Sequence, residues 1–65
     1  MKNNLKILRR EKKLSQQELG QHLNVSRQTI NAIEKEKFDP SLPTAFKMAK
    51  LFKTSIEKLF LFEIK

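Results

Sequence analysis

The sequence predicts an all-α fold, a compact bundle of five short helices. Three observations predict it. Apolar residues recur at i, i+3, i+4 and i+7, clearest in Leu42, Ala45, Met48, Ala49 and Phe52. Serines precede these runs, where a side-chain oxygen can accept from the first unpaired N–H groups of a helix. One Gly and two Pro punctuate 65 residues, too few for long loops. Strand-like alternation is absent until the last few residues, so residues 61–65 read as a short extended tail.

The first helix is predicted over residues 4–12, with Leu5 and Leu8 at helical spacing. Ser15, with Glu18 three residues on, has the pattern of a capping box and opens the second helix. That helix ends near Leu23, and Asn24 follows, a residue that tolerates a left-handed backbone. Gly20 lies inside it. Gly costs a helix interior roughly 1 kcal/mol against Ala, so close approach of the next helix is the reason to keep it. Ser26 caps the third helix. Phe38-Asp39-Pro40 is a connector, because the residue before Pro is pushed out of the helical region. Ser41 caps the fourth helix over residues 42–52, with Pro43 tolerated in its first turn. Thr54 and Ser55 end it and cap a fifth helix over residues 56–60. The expected core is Leu5, Leu8, Leu14, Leu19, Leu23, Val25, Ile30, Ile33, Leu42, Ala45, Met48, Ala49, Phe52, Ile56 and Leu59. All 65 residues read as one domain, with no internal repeat.

Fourteen basic residues against seven acidic give a net charge of +7, with pI near 10.1. That balance favours a polyanionic partner, nucleic acid or anionic membrane. The charge is uneven. Residues 1–13 carry Lys2, Lys6, Arg9, Arg10, Lys12 and Lys13 against Glu11 alone, while the middle is close to neutral. The chain has no Cys, hence no disulfide and no thiolate metal site, which suits a reducing cytoplasm. No apolar run approaches the roughly 20 residues of a membrane span, and the N-terminus lacks the apolar stretch of a signal peptide. His22 is the only His, with no clustered carboxylates beside it, and reads as a surface residue. Ser15 and Ser26 are accounted for as caps rather than nucleophiles. No catalytic residue, cofactor or metal is expected.

The third helix carries Arg27, Gln28, Thr29 and Asn31 near its start, side chains suited to base edges in a DNA major groove. Arg pairs with guanine O6 and N7, and Gln or Asn with adenine N6 and N7.

The stretch LSQQELGQHLNVSRQTINAIE, followed by FDPSLPTAFKMAKLF, resembles lambda-repressor-like helix-turn-helix proteins of the Cro/XRE type. The resemblance covers about residues 3–60, with the helix-turn-helix at about 15–35. Leu14, Ser15, Gln16, Leu19, Val25, Ser26, Ile30 and Glu34 match the family pattern. Gly20 stands where Ala is usual and Asn24 where Gly is usual. Glu36 and Lys53 stand where the ends of the third and fourth helices usually have Gly. The resemblance implies sequence-specific binding of double-stranded DNA by the third helix. It places Arg27, Gln28, Thr29 and Asn31 at the bases. It places Gln16, Ser26, Lys35, Lys37, Ser41 and Thr44 at the phosphates. It also implies a structural ion pair of Arg9 with Glu34, tying the first helix to the third.

One recognition helix reads only a few base pairs, and specific binding in this class comes from two subunits facing half-sites about 34 Å apart. The tail residues Leu61, Phe62 and Ile64 are the expected contact of a homodimer. The expected function is a nucleoid-associated repressor in the cytoplasm. The alternatives are the antitoxin of a toxin–antitoxin pair, with a toxin or anti-repressor as protein partner, and a cationic module binding membrane or protein. A membrane-surface helix should concentrate its exposed apolar face in one long helix, whereas here apolar residues are spread over five capped ones.

Overall fold

Four helices end the same way, and those ends set the path of the chain. In a computed structural model, which describes residues 1–61, the helices are α1 (Leu5–Glu11), α2 (Gln16–Leu23), α3 (Arg27–Glu34), α4 (Leu42–Phe52) and α5 (Ile56–Leu59). After each of α1 to α4 a non-glycine residue takes a positive φ: Lys13, Asn24, Glu36 and Lys53. The N–H of the next residue then reaches a carbonyl five positions back. Leu14 donates to Arg9, Val25 to Gly20, Lys37 to Ala32 and Thr54 to Ala49, at 2.9–3.1 Å. This is the Schellman closure, which satisfies helix-end carbonyls and reverses the chain sharply. Glu36 and Lys53 thus hold the geometry for which the family usually supplies Gly.

The helix starts are equally uniform. Ser15, Ser26, Ser41 and Ser55 are N-caps whose side chains accept from the N–H three residues on. Ser15 and Glu18 form a complete capping box. The Ser15 N–H, and then its hydroxyl, hold the Glu18 carboxyl below its usual pKa. Pro43 falls in the first turn of α4, where its missing N–H costs nothing.

A short antiparallel ribbon closes the ends of the described chain. Strand β1 (Lys2–Asn3) pairs with β2 (Phe60–Leu61), Lys2 opposite Leu61 and Asn3 opposite Phe60. The sequence predicts no strand at the N-terminus and a fifth helix over residues 56–60. That helix stops at Leu59 instead, and the buried Phe60 side chain joins the core from the ribbon. The N–H of Asn4 donates to the Leu59 carbonyl at 2.9 Å. Asn3 Nδ2 donates to Ile33 O at 2.8 Å, so the ribbon also holds the end of α3.

The core is Leu5, Leu19, Leu23, Ile30, Ile33, Ala45, Met48, Phe52, Leu59 and Phe60, with Leu8, Leu14, Val25, Leu51 and Ile56 packed on its margin. Leu42 was expected among them and is 65% exposed. Helical spacing places it on the same side of α4 as Ala45 and Ala49, but it occupies the first turn, beyond the elements that cover the rest. There it forms one wall of an open groove with Met1, Pro40, Ala45, Ile56 and Phe60. Arg9 is buried with the apolar residues, for a reason given below. No helix of the described residues is long and apolar enough to cross a membrane.

Candidate nucleic-acid interface

Ser26 sits in extended backbone before α3. Its hydroxyl accepts from the Thr29 N–H at 3.1 Å and lies 2.9 Å from the Thr29 hydroxyl. Ile30 and Ile33 bury one side of the helix. The 3.6-residue period then turns Gln28 away from the core and sets Arg27, Asn31 and Glu34 along one flank. Arg27 and Gln28 are exposed, and among the described residues neither side chain is engaged. The guanidinium and the amide of the first helical turn are therefore free to meet a ligand.

The flank is braced against the start of α2. Gln16 Nε2 lies 3.2 Å from Asn31 Oδ1 and 3.1 Å from Glu34 Oε1. Glu34 in turn accepts from Arg9, Nε at 2.6 Å and Nη2 at 3.2 Å. Arg9 Nη1 donates to Leu14 O at 2.7 Å. The side chains of Arg9 and Glu34 are 10% and 3% exposed. A buried guanidinium is tolerable here because its hydrogens meet a carboxylate and a backbone carbonyl of the α1–α2 connection. α1, α2 and α3 are thus tied by one polar cluster in which every buried side-chain nitrogen and oxygen of the described residues is satisfied. The two hydrogens of Gln16 Nε2 both point inward. A phosphate oxygen at that nitrogen would have to displace Asn31 or Glu34.

A second surface lies where α3 meets the start of α4. Thr29, Ser41 and Thr44 line one shallow groove with Val25, Ile33, Phe38 and Pro40. The Ser41 hydroxyl donates to Thr44 Oγ1 at 3.0 Å, which leaves Thr44 its own proton to donate outward. Lys35 and Lys37 are exposed on the loop beside it. Seven residues singled out from the sequence, Arg27, Gln28, Thr29, Lys35, Lys37, Ser41 and Thr44, therefore fall on α3 and the adjoining loop and helix start. Sequence reasoning missed the link from Gln16 to Asn31 and Glu34, whose signal is a polar residue at the first turn of one helix facing two on the next.

Leu61 is exposed on β2; Phe62 and Ile64 lie outside the described residues. His22 is exposed at the end of α2. Among the described residues no group of His, Cys, Asp or Glu is placed to hold a metal ion.

Five short helices, four of them serine-capped, a sharp α2–α3 corner and a polar first turn on α3 define a helix-turn-helix domain, a class of DNA-binding domain. The chain belongs to the helix-turn-helix family of Cro/C1 type, whose family model matches residues 5–59. It is 56% identical over 63 residues to an uncharacterized HTH-type transcriptional regulator of Methanocaldococcus jannaschii, covering 97% of this chain and 96% of that protein. It is 44% identical over 63 residues to the uncharacterized HTH-type transcriptional regulator YgzD of Bacillus subtilis, covering 97% and 96%. A relative in Archaeoglobus fulgidus with the same description is 38% identical over 63 residues, covering 97% and 89%.

Proposed function

We propose that this protein is a sequence-specific DNA-binding transcriptional regulator, a repressor that occludes a promoter by binding a two-fold operator as a homodimer. The observation that carries the reading is the state of Arg27 and Gln28. Both are exposed and unengaged at the start of a helix whose opposite side is locked into the core. An Arg and an amide so presented match guanine and adenine edges in the major groove. Thr29 and Asn31 extend the reading surface. Lys35, Lys37, Ser26, Ser41 and Thr44 meet the phosphates on either side. At the start of α2 the phosphate is met by backbone N–H groups rather than by the Gln16 amide. The net charge of +7 adds a salt-sensitive, sequence-independent attraction.

Dimerisation rests on apolar surface. Leu42 and Phe46 stand one turn apart on α4 and are exposed, as are Met1 and Leu61 near the ribbon. A second copy covering this surface would bury it and supply the second recognition helix.

Selection of bound sequences from a random duplex pool tests the proposal. The expected result is a two-fold symmetric site with half-sites about one helical turn apart. Enrichment of a single half-site by a monomer would leave the DNA reading and remove the homodimer. A pool that stays random would remove both.

A further inference from the structure

We propose that Asn31 reads DNA as a hydrogen-bond donor to a keto base edge, guanine O6 or thymine O4, and that Arg9 fixes this polarity from the core through Glu34 and Gln16. The inference rests on the DNA-binding reading above and deepens it to the base chemistry of one position.

The argument is one of forced orientation. Arg has only donors and Glu34 as a carboxylate only acceptors. With Arg9 Nε and Nη2 on Glu34, the carboxylate is held in place with Oε1 toward the start of α2. Only a donor can approach that oxygen, so the Gln16 amide must turn its Nε2, not its carbonyl, to Glu34. The second hydrogen of the same Nε2 then needs an acceptor. Asn31 supplies one by turning its Oδ1 to Gln16. Each amide in the chain could otherwise sit either way round; anchored at a guanidinium, neither can.

The consequence falls on the outer end of Asn31. Its Nδ2 carries two hydrogens that no acceptor takes among the described residues. Asn31 sits one helical turn after Arg27 on the same flank, beside the surface proposed to face the bases. A bidentate pair with adenine needs Asn to accept from N6 with Oδ1 while donating to N7 with Nδ2, both aimed at one base edge. Here Oδ1 accepts from Gln16 and is turned to α2, so the outward end of the side chain offers donors. Guanine O6 and thymine O4 accept in the major groove, whereas adenine and cytosine present an amino group at the corresponding place. Adenine N7 can still take a donor, but the adenine amino group then finds no acceptor on Asn31, so this side chain, an adenine reader by composition, is set to favour a keto edge. Gln16 and Arg9 act as positioning residues and touch no base in this scheme.

The test is pool selection followed by competition binding with wild type, Asn31→Ala and Gln16→Met. Asn31→Ala identifies the position that Asn31 reads. At that position wild type should favour guanine or thymine over adenine by about 2- to 12-fold, the worth of one hydrogen bond. Gln16→Met keeps the length of the side chain and the Arg9–Glu34 pair but frees the Asn31 amide to rotate. It should let adenine match or overtake guanine and thymine at that position alone, with other positions unchanged. A purely structural role for Gln16 would instead weaken all sequences together. A second measurement needs no variant. In the free wild-type protein, the side-chain amide protons of Gln16 should exchange slowly and those of Asn31 fast.

Adenine selected at the position that Asn31→Ala relaxes would overturn the proposal. So would an unchanged base profile in Gln16→Met, or fast exchange at Gln16. Uniform weakening by Asn31→Ala would assign Asn31 to a phosphate and likewise overturn it. In each of these outcomes selection by Arg27 and Gln28 persists, which separates failure of this inference from failure of the DNA-binding reading.

Discussion

A β-carbon on Gly20 would stand 2.6 Å from the Val25 carbonyl oxygen. Val25 folds straight back on α2, its N–H donating to the Gly20 carbonyl at 2.9 Å, so both polar atoms of one peptide turn press on the same residue. The obstruction is backbone and cannot swing aside. Two effects oppose each other on Gly20→Ala. Helix propensity gains roughly 1 kcal/mol, and overpacking costs about 1–3 kcal/mol. In this chain the clash outweighs the gain. Gly20→Ala is expected to lower the thermal midpoint and Gly20→Val to lower it much further. A Gly20→Ala midpoint at or above wild type would show that α2 and α3 can part at no cost.

Glu34 and Glu36 are two residues apart and should behave as opposites. Glu34 is buried against Arg9 and Gln16, whereas Glu36 is exposed in the turn after α3. Removing one partner of a buried pair strands the other charge, at about 3–5 kcal/mol. At Glu36 the left-handed backbone burdens Ala as much as Glu, so this exposed change stays within about 0.5 kcal/mol. Glu34→Ala should therefore bring the urea midpoint down sharply while Glu36→Ala leaves it nearly in place. Equal midpoints would mean that Arg9 finds another acceptor when Glu34 is gone.

The left-handed turn residues give a stabilising prediction. Glu36 and Lys53 hold φ of 63° and 53°, where an L side chain costs roughly 1–2 kcal/mol and Gly costs nothing sterically. Part of that gain is returned as unfolded-chain entropy. Glu36→Gly and Lys53→Gly should each raise stability by about 1 kcal/mol. Because the sites are distant and share no partner, the double variant should add the two gains. Denaturant titration with an unchanged slope is the check; a loss in either variant would show that the turn depends on the side chain.

What was legible in the sequence was local chemistry. Ser15, Ser26, Ser41 and Ser55 mark helix starts because a cap needs only one oxygen and an N–H three residues away. The positive φ at Asn24 was legible because Asn tolerates it, whereas the residue types of Lys13, Glu36 and Lys53 do not signal it, and only the family's usual Gly points to it at Glu36 and Lys53. The ribbon was hidden since two-residue strands carry no alternation and pair from opposite ends of the sequence. Leu42 went wrong because periodicity assigns a face to a helix but not where its neighbours stop covering it. At the site, the place of Arg27 and Gln28 in the first turn of α3 follows from the motif, while the inward turn of Gln16 depends on a cluster whose members come from three separate helices.

Arg27, Gln28 and Lys37 should separate into two kinds of DNA phenotype. Arg27→Ala and Gln28→Ala remove base-edge partners and should relax sequence choice at their own positions, each costing about 1–3 kcal/mol on the preferred site. Lys37→Ala should weaken preferred and random duplexes alike and reduce the slope of log affinity against log salt by about 1. Fluorescence anisotropy across a salt series distinguishes the two. A preferred sequence unchanged in Arg27→Ala would remove that residue from the reading surface.

Leu42 offers a way to separate pairing from folding. At 65% exposure it contributes little to the core of its own chain, and Phe46, one turn on, is 52% exposed. If a second copy covers them, Leu42→Ser and Phe46→Ser should shift sedimentation from dimer toward monomer. A monomer cannot place two recognition helices on one two-fold site, so affinity for that site should fall while affinity for an isolated half-site holds. Wild-type stability should rise with protein concentration, because association adds to the folded state by mass action, and that dependence should vanish in the double variant. A double variant that sediments and binds as wild type does would move the contact off α4.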